Sequence, residues 1–120
     1  VSKPHVDLLA GSLGSKHGIE LDEKLNIALL KKIHAETNIP LVLHGASGVS
    51  DNDINQAIAN GICKINIDTD IRHTFSKSIR QILAKYPQEE DFRNILSQVM
   101  ADIQKLVEEK IKLFGSTGKA

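Results

Sequence analysis

Three aliphatic residues behind a proline, ended by a histidine and a loop of small residues, constrain this chain more than any other stretch. In Pro40-Leu41-Val42-Leu43-His44-Gly45-Ala46-Ser47-Gly48 the apolar run is too short for a helix and is bounded by turn formers, which predicts a buried strand. Ser50-Asp51-Asn52-Asp53 follows and reads as a helix start, with Ser50 and Asp53 spaced as in a capping box. A strand that ends in a polar side chain and passes through glycine into a helix is how α/β proteins build active-site rims. Glycine lets the backbone approach a ligand, and free N–H groups at a helix start favour anions. A histidine at a strand end is also compatible with an ordinary satisfied polar residue, so this stretch alone defines a place and not yet a chemistry.

The same rhythm flanks it. Upstream, Val6-Asp7-Leu8-Leu9-Ala10 runs through Gly11-Ser12-Leu13-Gly14-Ser15-Lys16 to His17-Gly18, which predicts a strand over about residues 6–13. Downstream, Ile62-Cys63-Lys64-Ile65-Asn66-Ile67 leads to Asp68-Thr69. Alternating strands and helices argue for a parallel sheet, whose right-handed crossovers put all the strand ends on one rim. His17, His44 and Asn66 would then converge. Neutral imidazoles are the usual nitrogen ligands of zinc, and catalytic zinc commonly takes three protein ligands. Two such histidines supply part of a metal site.

Gly14-Ser15-Lys16-His17-Gly18, Leu43-His44-Gly45-Ala46-Ser47-Gly48-Val49 and Lys64-Ile65-Asn66-Ile67-Asp68-Thr69-Asp70 resemble successive strand-end motifs of the class II fructose/tagatose-bisphosphate aldolases. The closing Lys110-Ile111-Lys112-Leu113-Phe114-Gly115-Ser116-Thr117-Gly118-Lys119-Ala120 is similar to that family's C-terminus. The resemblance covers essentially the whole chain. It implies zinc as cofactor with His17 and His44 as ligands. It implies substrate contacts at Gly18, Gly45, Ala46, Ser47, Asn66, Ile67, Asp68 and Thr69, where Asp68 is equally open to a capping or bracing role. The implied reaction is reversible aldol cleavage of fructose- or tagatose-1,6-bisphosphate to dihydroxyacetone phosphate and glyceraldehyde 3-phosphate. The family's third zinc histidine and catalytic aspartate lie on an earlier strand without a counterpart here, so no catalytic acid or base is assigned. Between Gly18 and the next helix stand only Ile19-Glu20-Leu21, where the family usually carries a longer loop with Tyr and Lys.

A (β/α)8 barrel typically needs about 250 residues, and this chain has 120 and begins with valine. The expectation is therefore an α/β chain forming the C-terminal part of a (β/α)8 TIM barrel: about three strand–helix units plus a C-terminal helix, residues 1–120 being one portion of a single barrel domain. Alone it is expected to be inactive, with the N-terminal portion of the barrel as its partner and a homo-oligomer when intact. Strands cut from a closed barrel leave unpaired edges and an inner face, including Val42, Leu43 and Ile65, short of packing partners. The alternatives are a non-catalytic sugar-phosphate-binding or assembly subunit, and a structural half-barrel that pairs through its edges.

Fifteen basic and fifteen acidic residues cancel, which argues against nucleic acid or an anionic membrane as partner. No apolar run approaches a membrane span and no signal peptide is evident, so the expected compartment is the cytoplasm. The single Cys63 reads as a small buried hydrophobe. Helices are expected over about 22–36, with Leu21, Leu25, Ala28, Leu29 and Ile33 on the buried face, over 51–60, from a cap at Thr69 or Asp70 to Lys85, and over 89–114. His5, His34 and His73 read as solvated. Gly115-Ser116-Thr117-Gly118-Lys119 mimics a phosphate loop but lacks the strand before it and the helix after it.

Overall fold

A computed structural model describes residues 6–14 and 24–119. The chain falls into two compact units, Val1–Ile67 and Asp68–Ala120. Among the described residues the elements run α1 (Ile27–Glu36), β1 (Leu41–Leu43), a 3-10 turn (Ala46–Gly48), α2 (Asp51–Ala59), β2 (Ile62–Ile65), α3 (Thr69–Lys85) and α4 (Phe92–Leu113).

In the first unit β1 and β2 pair in parallel. All three residues of β1 are buried, as expected of a parallel strand covered on both faces. On its other side β1 meets the chain at Leu9, where a single parallel bridge forms to Leu41. Two backbone bonds make that bridge: Leu9 N–H to the Pro40 carbonyl at 3.0 Å, and Val42 N–H to the Leu9 carbonyl at 2.9 Å. The strand expected over residues 6–13 is thus reduced to one bridge residue. Val6 and Leu8 are exposed, and Gly14, at φ 98°, takes a conformation no strand contains.

Helix α2 begins and ends as its sequence predicts. The Ser50 hydroxyl accepts from Asp53 N–H at 3.1 Å, a cap whose loss costs about 1 kcal/mol. Asp53 does not close the reciprocal box; its Oδ2 accepts instead from Leu25 N–H at 3.4 Å. Ile54 and Ala57 are fully inside. After the helix Gly61 sits at φ 107°, and a Cβ there would fall 2.5 Å from Nδ1 of His34. His34 is exposed, as expected, but its ring lies against this glycine.

Helix α1 differs from expectation. It starts at Ile27, with the Asn26 side chain accepting from Leu29 N–H at 2.9 Å. Leu25 therefore lies before the helix, and its burial belongs to the incoming chain. The inward residue is Leu30, flanked by half-buried Ile27 and Ile33, whereas Ala28 and Leu29 are exposed. The later start moves the buried stripe one residue along. Val42 and Leu43 are buried, and Ile65 is half-buried. The expected shortage of packing partners does not arise at β1, because side chains such as Leu13, Leu30 and Ile62 share its core.

The second unit is a pair of helices. The N-cap of α3 is Asp68, one residue earlier than expected, and its side chain makes no capping bond. Inside the pair lie Ser78, Ile82 and Val99. The Ser78 hydroxyl donates to the Asp102 carboxylate, and Lys110 Nζ stands 2.7 Å from Asp70 Oδ2, with both side chains largely buried. Asp91 caps α4 through Arg93 N–H at 2.9 Å. At the other end Ser116 N–H reaches the Ile111 carbonyl at 3.0 Å and Gly115 N–H the Lys112 carbonyl at 3.1 Å. With Gly115 at φ 66°, this is a Schellman stop.

Candidate functional site

The pairing of β1 and β2 contains one irregularity, and it sets the site. Leu41 pairs with Ile62, but Val42 pairs with Lys64 and Leu43 with Ile65. Cys63 is the extra residue of a bulge, which re-aims side chains beyond it. Its Sγ lies 3.3 Å from the Leu41 carbonyl and it is exposed, contrary to the burial expected for it. In a regular ladder His44 would stand opposite Ile65. The bulge brings Asn66 level with it instead, and Asn66 N–H continues the ladder to the Leu43 carbonyl at 3.0 Å.

Asn66 Nδ2 lies 3.0 Å from Nε2 and 3.4 Å from Nδ1 of His44. Behind it, Lys64 Nζ donates to Asn66 Oδ1. Lys64 and Asn66 are two residues apart and so share a face of the strand. Lys64 escaped the sequence reading; the two-residue spacing to Asn66 was the signal available. After His44 the chain turns through Gly45 at φ 66°, ψ 38° into the 3-10 turn, a left-handed position that favours glycine. Ala46 is buried, while Gly45 and Ser47 are half-buried. Ile67, also half-buried, ends the first unit.

Asp68 and Thr69 open the second unit, described by itself. Thr69 is the first residue of α3. The Asp68 carboxylate pairs with Arg72 at 2.7 Å, both side chains well exposed, so within its own helix Asp68 braces the first turn. A cleft of about 360 Å³ between α3 and α4 is lined by His73, Lys77, Ser78, Asp102, Lys105 and Glu109 among others. It mixes both signs of charge, and none of the residues predicted for the site lines it.

Of the expected metal ligands, His44 stands at the end of β1 with an exposed ring, and an imidazole there suits a metal such as zinc. His17 and Gly18 lie outside the described residues. Among the described residues no group of three or more His, Cys, Asp and Glu side chains is placed to hold a metal. The strand ends thus bring together His44, Asn66 and the Gly45–Ser47 loop, a rim with one metal-binding nitrogen, an amide and a hydroxyl.

Comparison with known proteins bears on what such a rim serves. The family model described as "Fructose-bisphosphate aldolase class-II" matches residues 1–119. The fructose-bisphosphate aldolase of Geobacillus stearothermophilus is 42% identical over all of this chain and 42% of its own length. The 6-phospho-5-dehydro-2-deoxy-D-gluconate aldolase of Shouchella clausii is 42% identical, with 41% of its length covered. The crystal structure of the YdjI aldolase from Escherichia coli K12 superposes with a TM-score of 0.82 at 38% identity, covering 95% of this chain and 41% of that one. The chain belongs to the class II fructose-bisphosphate aldolase family. It spans about two fifths of the length of the curated relatives it matches.

Proposed function

We propose that this chain is the C-terminal portion of a zinc-dependent class II ketose-bisphosphate aldolase with a (β/α)8 barrel, which reversibly cleaves fructose- or tagatose-1,6-bisphosphate to dihydroxyacetone phosphate and glyceraldehyde 3-phosphate. The observation that carries the reading is the meeting of His44 and Asn66 at adjacent parallel strand ends, in a chain whose relatives are named for cleaving phosphorylated sugars. Those two relatives are equally similar and named for different substrates, so identity supports the chemistry more strongly than the choice of sugar.

His17 and His44 would hold the zinc, whose bound ion supplies a Lewis acid that polarises a substrate carbonyl. Asn66 offers an amide to the substrate. Gly45, Ala46 and Ser47 present a hydroxyl and backbone N–H groups, and Gly18 would extend that loop. Ile67, Asp68 and Thr69 lead into α3, whose positive end suits a phosphate; barrels often bind phosphate after their last strands. The acid–base residue and the third ligand belong to the N-terminal portion of the barrel, so the chain alone is inactive and works as part of an intact homo-oligomer in the cytoplasm. No helix among the described residues is long and apolar enough to cross a membrane.

The test is aldol cleavage by this chain completed with the N-terminal three-fifths of the Geobacillus stearothermophilus enzyme. Cleavage of a ketose bisphosphate that a chelator abolishes and zinc restores is expected. Binding of sugar phosphate without cleavage would establish the non-catalytic alternative and overturn this reading.

A further inference from the structure

We infer that Lys110 is a positioning residue for the substrate phosphate: through its ion pair with Asp70 it keeps the start of α3 free of a net negative charge that would turn an anion away. Lys110 touches no substrate itself and acts through Asp70. The inference deepens the reading that a phosphate sits at the Asp68–Thr69 start of α3, and rests on that reading for the identity of the anion.

The first N–H groups of a helix have no partner inside it, and their partial positive charge favours an anion. In α3 they belong to Thr69, Asp70 and Ile71, ahead of the first helical bond, from Arg72 N–H to the Asp68 carbonyl at 3.0 Å. The Asp68 side chain makes no capping bond to them. Two carboxylates at this start, Asp68 and Asp70, nevertheless oppose an anion. A helix pole is worth about half an elementary charge, so either carboxylate alone outweighs it. Each has a cation. Arg72 stands 2.7 Å from Asp68 with both side chains well exposed, where water and salt weaken the field of either group. Asp70 differs: its side chain is only 16% exposed and that of Lys110 21%, so their charges are screened much less. Asp70 Oδ2 is buried and takes no aligned hydrogen bond among the described residues, which leaves the Lys110 ammonium, at 2.7 Å, as its compensation. Asp70 is the second residue of α3, and Lys110 lies in the last turn of α4. A unit charge about 6 Å from a phosphate dianion changes its binding by about tenfold even at the dielectric of water. Without Lys110, Asp70 would exert that force against the ligand.

The experiment titrates the 15N-labelled 120-residue chain with inorganic phosphate, at fixed ionic strength and at one pH where phosphate is mainly the dianion. It follows the backbone amides of Thr69, Asp70 and Ile71. The parent is expected to show a saturable shift of these amides. Lys110→Met should weaken the affinity by about tenfold, and Lys110→Arg should restore it. Asp70→Asn, which leaves the ammonium unopposed, should tighten binding by a similar factor, and the Lys110→Met, Asp70→Asn double variant should return it to the parent's value. A tie that only held the helices together would be loosened by Asp70→Asn as well as by Lys110→Met, so the opposite signs separate charge from support. The remaining amide spectrum verifies the fold of each variant. Should Lys110→Met alone unfold, Asp70→Asn and the double variant carry the decision. Unchanged affinity in Lys110→Met, weaker binding in Asp70→Asn, a double variant well below the parent, or a parent whose first-turn amides ignore phosphate would overturn the inference. No metal and no turnover enter the measurement, so zinc-dependent cleavage by the completed enzyme stands or falls on its own test.

Discussion

In the strand-bearing unit large aliphatic side chains form a closed core around β1, where Leu30, Leu43 and Ile54 are each 2% exposed or less, while Val6, Leu8 and Leu29 lie outside it. In the helical pair the balance differs, with Val99 and Ile82 buried but Phe92 and Met100 about two-thirds exposed, and Leu83 and Phe75 nearly half. The first unit has a core of its own around β1. The second depends more on polar ties: Lys110 to Asp70, Ser78 to Asp102, the Asp91 cap and the Schellman stop. The difference teaches where precision is kept. His44 and Asn66 are mounted on strands whose backbone is locked by a packed core, the kind of support a site needs to hold its geometry.

Substitutions inside and outside should therefore behave oppositely. Leu43→Ala removes a side chain from the packed unit and is expected to cost about 2–5 kcal/mol in urea unfolding. Met100→Ala on the exposed side of α4 should change stability by no more than about 0.5 kcal/mol. Equal costs would break the comparison, because they would mean that the exposed face of α4 is covered in solution.

A smaller effect is expected at the seam between α1 and the α2–β2 turn. Gly61→Ala forces a side chain into positive φ and against the His34 ring, at a cost of about 1–3 kcal/mol. Adding His34→Ala should recover the steric part and leave the backbone part. A Gly61→Ala chain as stable as the parent would show that the ring does not rest on the glycine.

The smallest effect lies at the start of α4. Bonding from the Arg93 side chain, then from its backbone N–H, lowers the Asp91 pKa below 3.8, and the same pair raises that of Arg93. A carboxylate with a lowered folded pKa adds stability above its unfolded value, and that contribution is lost as the pH falls through the folded one. Protection against hydrogen exchange in the first turn of α4, taken relative to the intrinsic rate at each pH, should thus be steady above pH 3.8 and fall below it. Asp91→Asn keeps the cap and should flatten that response.

Much of this was legible because it is local. The Leu41–Leu43 strand, the Ser50 cap, Gly61 at positive φ and the stop at Gly115 each follow from a few neighbouring residues. The stripe of α1 shifted because the helix starts at Ile27, after a cap by Asn26 that competes with the earlier apolar residues. The exposure of Cys63 and the partnership of Lys64 with Asn66 were not legible. Both follow from a bulge in the pairing of two strands some twenty residues apart, and hydrophobic pattern carries no record of register. The meeting of His44 with Asn66 was expected from topology, yet its ladder position depends on that same bulge.

The central claim is that the chemistry resides at the C-terminal ends of β1 and β2. The most direct measurement is kcat/KM for aldol cleavage by the completed enzyme carrying His44→Ala, beside Met100→Ala as the control. Removing the proposed metal ligand should cost at least about 100-fold, since loss of a mere supporting partner of a ligand costs 10–100-fold, while the control stays at the parent's value. A His44→Ala enzyme that keeps the parent's activity would contradict the account.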